Sequence, residues 1–293
     1  MWADVARTRL RKHVAALRAH EGGAQLGRDP EDVHQMRVAT RRLRAGLRLL
    51  AGVLPPEAEG IRVELRWLAM VLGNVRDLDV QIDSLARAAA DLSADPDSLG
   101  PVLHFFETRR CRARAALQDE LASQRYTTLL GRLDHLLETP WPNAPKLTGV
   151  VVARLIRRRY RKLRETAAPL HASSCLEELH RARIRAKQLR YAVEFFADPY
   201  GKPARRLIRR SVRLQDLLGS VHDAAVLRER LVETTHPDQA LSPENLFLIG
   251  QLDGMYAQRV RDAQARAPAA CARLAGKSWK RLERRMRAVA SAE

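Results

Sequence analysis

Residues 33–44, Val33-His34-Gln35-Met36-Arg37-Val38-Ala39-Thr40-Arg41-Arg42-Leu43-Arg44, decide the fold, because they sort onto two sides of a single α-helix. At about 100° per residue, Arg37, Arg41, Arg44 and Arg48 fall within about 80° of His34. Met36, Leu43, Leu47, Leu50 and Leu54 gather roughly opposite, as a stripe for a core. Ahead of them, Asp29-Pro30-Glu31-Asp32 supplies a capping carboxylate, a proline for the first helical position and acidic first-turn residues. The helix therefore starts there, with His34 in its second turn.

The same pattern is written again further along. Leu179-His180-Arg181-Ala182-Arg183 stands opposite Val33-His34-Gln35-Met36-Arg37 at an offset of 146 (180 − 34). At that offset Arg41 matches Lys187, Leu43 matches Leu189, Arg44 matches Arg190 and Leu47 matches Val193. Leu72-Gly73-Asn74-Val75-Arg76-Asp77 then matches Leu218-Gly219-Ser220-Val221-His222-Asp223, still at 146 (223 − 77). Two separated motifs sharing one offset indicate a tandem duplication. Each copy is expected to hold a long helix and, at its Leu-Gly-x-x-x-Asp, a helix–loop–helix corner. Ser174 with Glu177 has capping-box spacing for the second long helix.

Outside these motifs helix formers dominate, with apolar residues at three- and four-residue spacings. Breaks fall at Gly22-Gly23, Pro55-Pro56, Asp95-Pro96, Pro199 to Pro203 and Pro237 to Pro243. The densest, Thr139-Pro140-Trp141-Pro142-Asn143-Ala144-Pro145, lies near the middle. The expected architecture is all-α: a helical bundle over 1–139, a proline-rich linker over 140–145 and a second bundle over 146–293.

The second copy repeats the basic face with His180, Arg183, Lys187 and Arg190, and the apolar one with Leu189, Val193 and Phe196. Glu194 replaces Arg48, so the shared basic part ends near Arg44 and Arg190. Neighbours three and four apart on a helix stand about 5–6 Å from each other. Such a row meets several charges of a ligand whose anionic groups repeat closely. Arginine suits phosphate in particular, since its planar donor fork makes charge-assisted bonds to phosphate oxygens. A protonated histidine adds a donor, so anion binding is expected to strengthen as pH falls through about 6.5. Further candidate contacts are Arg11 and, in the first helix of copy two, Arg157, Arg158 and Arg161; the third helix adds Arg206, Arg209, Arg210 and Arg213. Arg159 and Arg164 read as solvated. Asp77 and Asp223 read as structural groups that cap the next helix or brace an arginine.

Lys and Arg total 52 against 34 Asp and Glu, a formal charge of +18 that favours acidic partners such as nucleic acid, polyphosphate or an anionic membrane surface. Only seven of the 52 are Lys, the bias of a GC-rich coding sequence, so arrangement counts for more than total charge. Catalysis finds little support. The basic face holds no carboxylate pair for Mg²⁺, and one histidine per face without Cys or carboxylate is a poor zinc site. Gly276-Lys277-Ser278 superficially resembles the end of a phosphate-binding loop, but Cys271 stands where the leading glycine belongs and no strand precedes it. No catalytic residue, metal or cofactor is expected. Cys111, Cys175 and Cys271 form no CxxC pair and read as reduced thiols in the cytosol. The first residues lack the apolar core of a signal peptide, and no apolar run approaches the ~18 residues of a membrane span.

The motifs His34-Gln35-Met36-Arg37-Val38-Ala39-Thr40-Arg41-Arg42-Leu43-Arg44 and His180-Arg181-Ala182-Arg183-Ile184-Arg185-Ala186-Lys187-Gln188-Leu189-Arg190-Tyr191, with the two Leu-Gly-x-x-x-Asp segments, resemble the CHAD family of conserved-histidine α-helical domains. The resemblance spans essentially the whole chain. It implies two helical bundles related by pseudo-twofold symmetry, with the basic faces lining a shared groove or central cavity. It also implies binding of inorganic polyphosphate and association with polyphosphate granules in the cytoplasm. His34, Arg37, Arg41 and Arg44 would then face His180, Arg183, Lys187 and Arg190. No ExExK occurs, so the triphosphate-tunnel domain that often accompanies CHAD domains is not expected. The alternative is a basic protein that binds nucleic acid without sequence specificity; against it, aromatics are only 5% and Tyr191 alone lies beside the stripe as a stacking surface. Weak non-specific nucleic-acid binding is still expected, and a membrane partner is not. A phosphohistidine or metal-dependent enzyme of phosphate metabolism is a more distant alternative.

Overall fold

The structure, a computed structural model, describes residues 2–236 and 241–293. Every regular element among them is helical. The first half comprises α1 (Trp2–Ala19), α2 (Glu21–Leu26), α3 (Pro30–Leu49), α4 (Glu57–Asp91), α5 (Pro96–Leu121) and α6 (Gln124–Glu138). A 3-10 turn at Ala144–Lys146 leads into α7 (Gly149–Ala167), α8 (Leu176–Phe195), α9 (Ala197–Tyr200), α10 (Lys202–Thr234), α11 (Pro243–Ala275) and α12 (Lys277–Ala290). The repeat persists in the elements. Both α3 and α8 are 20 residues long, and their starts lie 146 apart (176 − 30). α4 and α10 follow them with 35 and 33 residues.

Caps fix the helix starts. Asp29 accepts from the Glu31 N–H at 2.8 Å and Pro30 opens α3, as its sequence indicates. The cap of α8 sits one residue later than the spacing suggested. Cys175 is the N-cap, and its N–H donates to Glu178 at 3.0 Å. Ser174 is buried instead, where its hydroxyl accepts from the His171 N–H and its carbonyl from the Gln264 amide. Both histidines are still the fifth residues of their helices.

The expected corners do not exist. Leu72–Asp77 and Leu218–Asp223 lie inside the uninterrupted helices α4 and α10. A glycine in a helix interior costs about 1 kcal/mol relative to alanine, and the return here is proximity. A Cβ on Gly73 would stand 3.9 Å from the Arg37 guanidinium, and one on Gly219 would stand 3.8 Å from that of Arg183. Each glycine lets an arginine lie against the helix backbone, where a single added methyl would meet it in ordinary van der Waals contact.

The mid-chain break is pinned rather than free. Trp141 is buried and donates from Nε1 to the Leu136 carbonyl at 3.0 Å, while the Arg7 guanidinium lies 4.8 Å from its ring centre. Of the expected break at Pro237 to Pro243, residues 237–240 lie outside the described residues; Ser242 caps α11 by accepting from the Asn245 N–H.

One connected core runs through both halves. Met36, Leu43 and Leu47 from α3 and Leu189, Val193 and Phe196 from the α8 region are buried in it, so the apolar stripes face inward as their spacing requires. α3 meets α8 where Gly46 faces Phe195: a Cβ on Gly46 would come within 2.6 Å of that ring and 3.0 Å of Leu10. No helix among the described residues is long and apolar enough to cross a membrane.

That close approach is testable. Gly46→Val should destabilise the fold by about 1–3 kcal/mol, because the ring and Leu10 are held by packed neighbours and cannot both retreat. Urea unfolding followed by circular dichroism measures this, and an unchanged midpoint would show that the α3–α8 contact is loose.

Candidate functional site

Because the apolar stripes of α3 and α8 turn inward, their basic faces are left at the edge of the contact. His34, Arg37, Arg41 and Arg44 are half-buried there, and so are His180, Arg183, Lys187 and Arg190. The two rows meet. The Arg41 guanidinium lies 5.7 Å from the centre of the Tyr191 ring, and that of Arg190 lies 4.9 Å from it.

Beside this junction is a cavity of about 490 Å³. α3 contributes Arg41, Arg44 and Arg48, α4 contributes Arg62, α7 contributes Arg158, Arg159 and Lys162, and α8 contributes Arg185 and Lys187. Among the described residues, nine cationic side chains and no carboxylate line it, with Leu49, Leu155, Ile184 and Tyr191 between them.

The charges are held at a cost. Burial pushes the Lys187 ammonium down to about 8, helped by Arg183, Arg41 and Arg37. Arg41 is lowered by burial and by Arg190 and Arg37, and Arg44 by burial and by Arg66 and Arg62. Burial, with Arg158 and Arg48, takes Arg159 down to about 10. The Nε atoms of Arg41, Arg44, Arg183 and Arg190 are buried without a hydrogen-bond partner among the described residues. Unmet buried donors cost about 1–3 kcal/mol each, more when charged. An anion with several acceptor oxygens would relieve burial, repulsion and unmet donors together.

Carboxylates do brace the outer arginines. Arg37 reaches Asp77 at 2.5 Å and Arg183 reaches Asp223 at 3.9 Å, so both aspartates act as braces and neither as a cap. At the other end Glu194 stands 3.4 Å from Arg190 and 3.9 Å from Arg42.

Two neighbours of the histidines were not among the expected site residues. The His222 ring lies 5.1 Å from the His180 ring. Arg76, its counterpart in copy one (222 − 76 = 146), is the strongest charge acting on His34. The signal lay in the repeat, since each directly precedes a bracing aspartate. Burial and then Arg76 hold His34 below its ordinary value, and burial and then Arg183 do the same for His222. The expected histidine window near 6.5 is thereby corrected downward for His34 in the anion-free protein.

The outlying candidates divide. Arg158 lines the cavity, and so does Arg159, which had read as solvated. On α7 the residues 155, 158, 159 and 162 share the side facing the cavity, which turns Arg157 and Arg161 away: Arg157 pairs with Glu283 at 3.4 Å and Arg161 with Glu165 at 3.7 Å. Arg11 donates to the Leu137 carbonyl. Arg206 and Arg209 are exposed on α10, while Arg210 and Arg213 line a separate cavity against α11 that also holds Asp216. None of these seven lines the cavity of Arg41 and Lys187. Gly276 separates α11 from α12 with no strand before it, and Ser278 is buried. Among the described residues, no group of three or more His, Cys, Asp or Glu side chains is placed to hold a metal ion.

Comparison with known proteins bears on this arrangement. The CHAD domain family matches residues 8–232. A protein in each of two Mycobacterium tuberculosis strains, CDC 1551 / Oshkosh and ATCC 25618 / H37Rv, is 33% identical over 228 residues, covering 69% of this chain and 40% of the relative. The chain thus spans less than half the length of these relatives. Among solved structures, the CHAD domain from the plant Ricinus communis superposes with a TM-score of 0.77 at 27% identity, over 93% of this chain and 92% of that one. PptA from Streptomyces chartreusis shares the fold, with a TM-score of 0.75 at 19% identity over 92% of this chain and 98% of that one.

The strained ammonium makes a stability prediction. A base whose folded pKa lies below its unfolded one costs stability below the folded pKa, and the cost is relieved as pH rises from about 8 toward the ordinary lysine value. Lys187→Met should therefore stabilise the anion-free protein at pH 7 by about 1–2 kcal/mol, the full conversion being reduced by partial solvent screening. Calorimetry at pH 7 and pH 10 checks this: the gain should shrink at the higher pH, and a loss of stability at pH 7 would contradict the strained-charge account.

Proposed function

The chain belongs to the CHAD domain family, and from that premise we propose that it binds long-chain inorganic polyphosphate without catalysis, through the paired basic faces of α3 and α8. The observation that carries this is the cavity lined, among the described residues, by nine cations and no carboxylate. The family likeness supplies the polyphosphate itself, and with it a cytoplasmic place at polyphosphate granules. In this reading 1–139 and 146–293 are two bundles related by pseudo-twofold symmetry, joined by 140–145, and the basic faces line the groove they share.

Arg37, Arg41, Arg44, Arg183, Lys187 and Arg190 contact successive phosphates, with His34 and His180 at the open end of the rows. Arg158 and Arg159 add contacts from the flank. Arg11, Arg157, Arg161, Arg206, Arg209, Arg210 and Arg213 act at longer range, by raising the positive field that draws the polyanion in. Nucleic acid fits less well. A single strand needs an aromatic platform, and the Tyr191 ring is already covered by Arg41 and Arg190.

Replacing Arg37, Arg41, Arg183 and Lys187 together with Gln should weaken polyphosphate binding by at least ~100-fold, given the size of charge-assisted hydrogen bonds. Replacing the exposed Arg28, Arg112, Arg154 and Arg281 should change it only a few-fold. Equal losses would mean that bulk charge, not the faces, binds the ligand. In competition at one fixed salt concentration, long-chain polyphosphate should displace single- and double-stranded DNA; DNA winning would favour the nucleic-acid reading.

A pH profile isolates one residue. A bound polyanion favours charged Lys187, so affinity is full below its free pKa of about 8 and falls as pH rises above it, by up to about tenfold per unit. Lys187→Arg should remove that decline while keeping affinity at pH 7. Identical profiles for wild type and variant would show that Lys187 does not meet the ligand.

A further inference from the structure

The cationic cavity has a counterpart that the duplication produced and later changes altered. A second cavity, of about 330 Å³, is lined by Arg42, Glu194, Phe195 and Asp198. These stand 146 residues from Gln188, Arg48, Leu49 and Gly52 of the first cavity, in one direction or the other. α1 borders it through Arg9, Lys12 and His13, much as α7 borders the first through Arg158, Arg159 and Lys162. Tyr191 lines both and stands between them.

The contents differ in charge. Where the first cavity has Arg48 and Gly52, the second has Glu194 and Asp198. Glu194 engages Arg42 and Arg190, and Asp198 holds Arg9 at 2.7 Å. Burial and the charges of Arg42, Arg9 and Lys12 push His13 down to about 4, so it is neutral at pH 7. The two arginines of this flank, Arg9 and Arg42, already have carboxylate partners inside the protein.

We propose that Glu194 and Asp198 make the anion site one-sided: a bound phosphate chain runs over the Arg41–Lys187 junction into the cavity of Arg48, Arg158, Arg159 and Lys162, and is refused at the opposite flank. The two carboxylates are specificity-determining residues that set how many consecutive phosphates the protein engages. An intact pair of flanks would hold a longer run. The inference rests on the polyphosphate reading of the same site.

The test uses size-fractionated polyphosphate and the full chain. In wild type, affinity should rise with chain length and then level off. E194Q with D198N releases Arg9 and Arg42 for phosphate. The plateau should move to longer chains, affinity for long chains should rise about tenfold, and the logarithmic salt dependence should steepen by about one to two, as expected for one or two further ions released. Affinity for short chains should stay unchanged. D119N with E229Q, an equal charge change on exposed residues that line neither cavity, should leave the plateau in place. A uniform gain at every length, a gain of the same size from the control pair, or an unmoved plateau in a variant of native helicity would overturn the proposal. Failure of wild type to bind long chains at all would instead defeat the underlying polyphosphate reading.

Discussion

The packing of α3 against α8 is the constraint on which the rest depends. Gly46 lets the Phe195 ring come close, and the buried Leu43, Leu47, Leu189 and Val193 hold both helices by their apolar sides. The cationic sides are thereby brought together in a region where water is partly excluded and charges repel more strongly than they would in bulk. Tyr191 and the carboxylates of Asp77, Asp223 and Glu194 offset only part of the cost, as the lowered pKa values of Arg41, Arg44 and Lys187 record. The core must offset the rest, and functional sites are where folds commonly tolerate such strain.

Much of this was legible in order of side chains. Helical periodicity placed Met36, Leu43 and Leu47 in the core and His34, Arg37, Arg41 and Arg44 on one side, because a single helix is a local object and a fixed rotation per residue describes it. The glycines misled. Gly73 and Gly219 look like punctuation from their neighbours alone, yet their reason is an arginine some 36 residues earlier in the chain that lies against the backbone. Arg159 reads as solvated in the sequence and Arg76 is not counted there as a site residue, for a related cause: each joins the site from a different helix, and spacing within a helix does not reveal what packs across from it. The α8 cap moved by one residue because Ser174 found partners in His171 and Gln264.

Duplication followed by divergence describes the site better than duplication alone. Arg37 and Arg183 keep their glycine and their aspartate in both copies, so this unit is retained as a whole. Arg76 and His222 have parted, as have Arg48 and Glu194. The retained unit orients an arginine without consuming all of its donors, since a single carboxylate oxygen meets one nitrogen and the Nε of Arg183 stays free of any hydrogen bond. The altered positions lie at the ends of the rows, where they bound the site without disturbing its middle.

The single sign of charge that the described residues give the lining of the 490 Å³ cavity also has a kinetic side. A concave surface of one sign concentrates field lines, so approaching anions are captured quickly and with little regard to orientation. Escape would work against the same field: a phosphate bound at Arg44 would, on detaching, meet Arg48 or Arg62 before bulk water. A flexible polyanion would therefore leave by shuffling from one cation to the next, and the dwell time of a chain would grow with its length even after its equilibrium contacts are saturated. The protein would act as a slow-release tether, whose grip is set as much by rebinding as by the strength of any one contact.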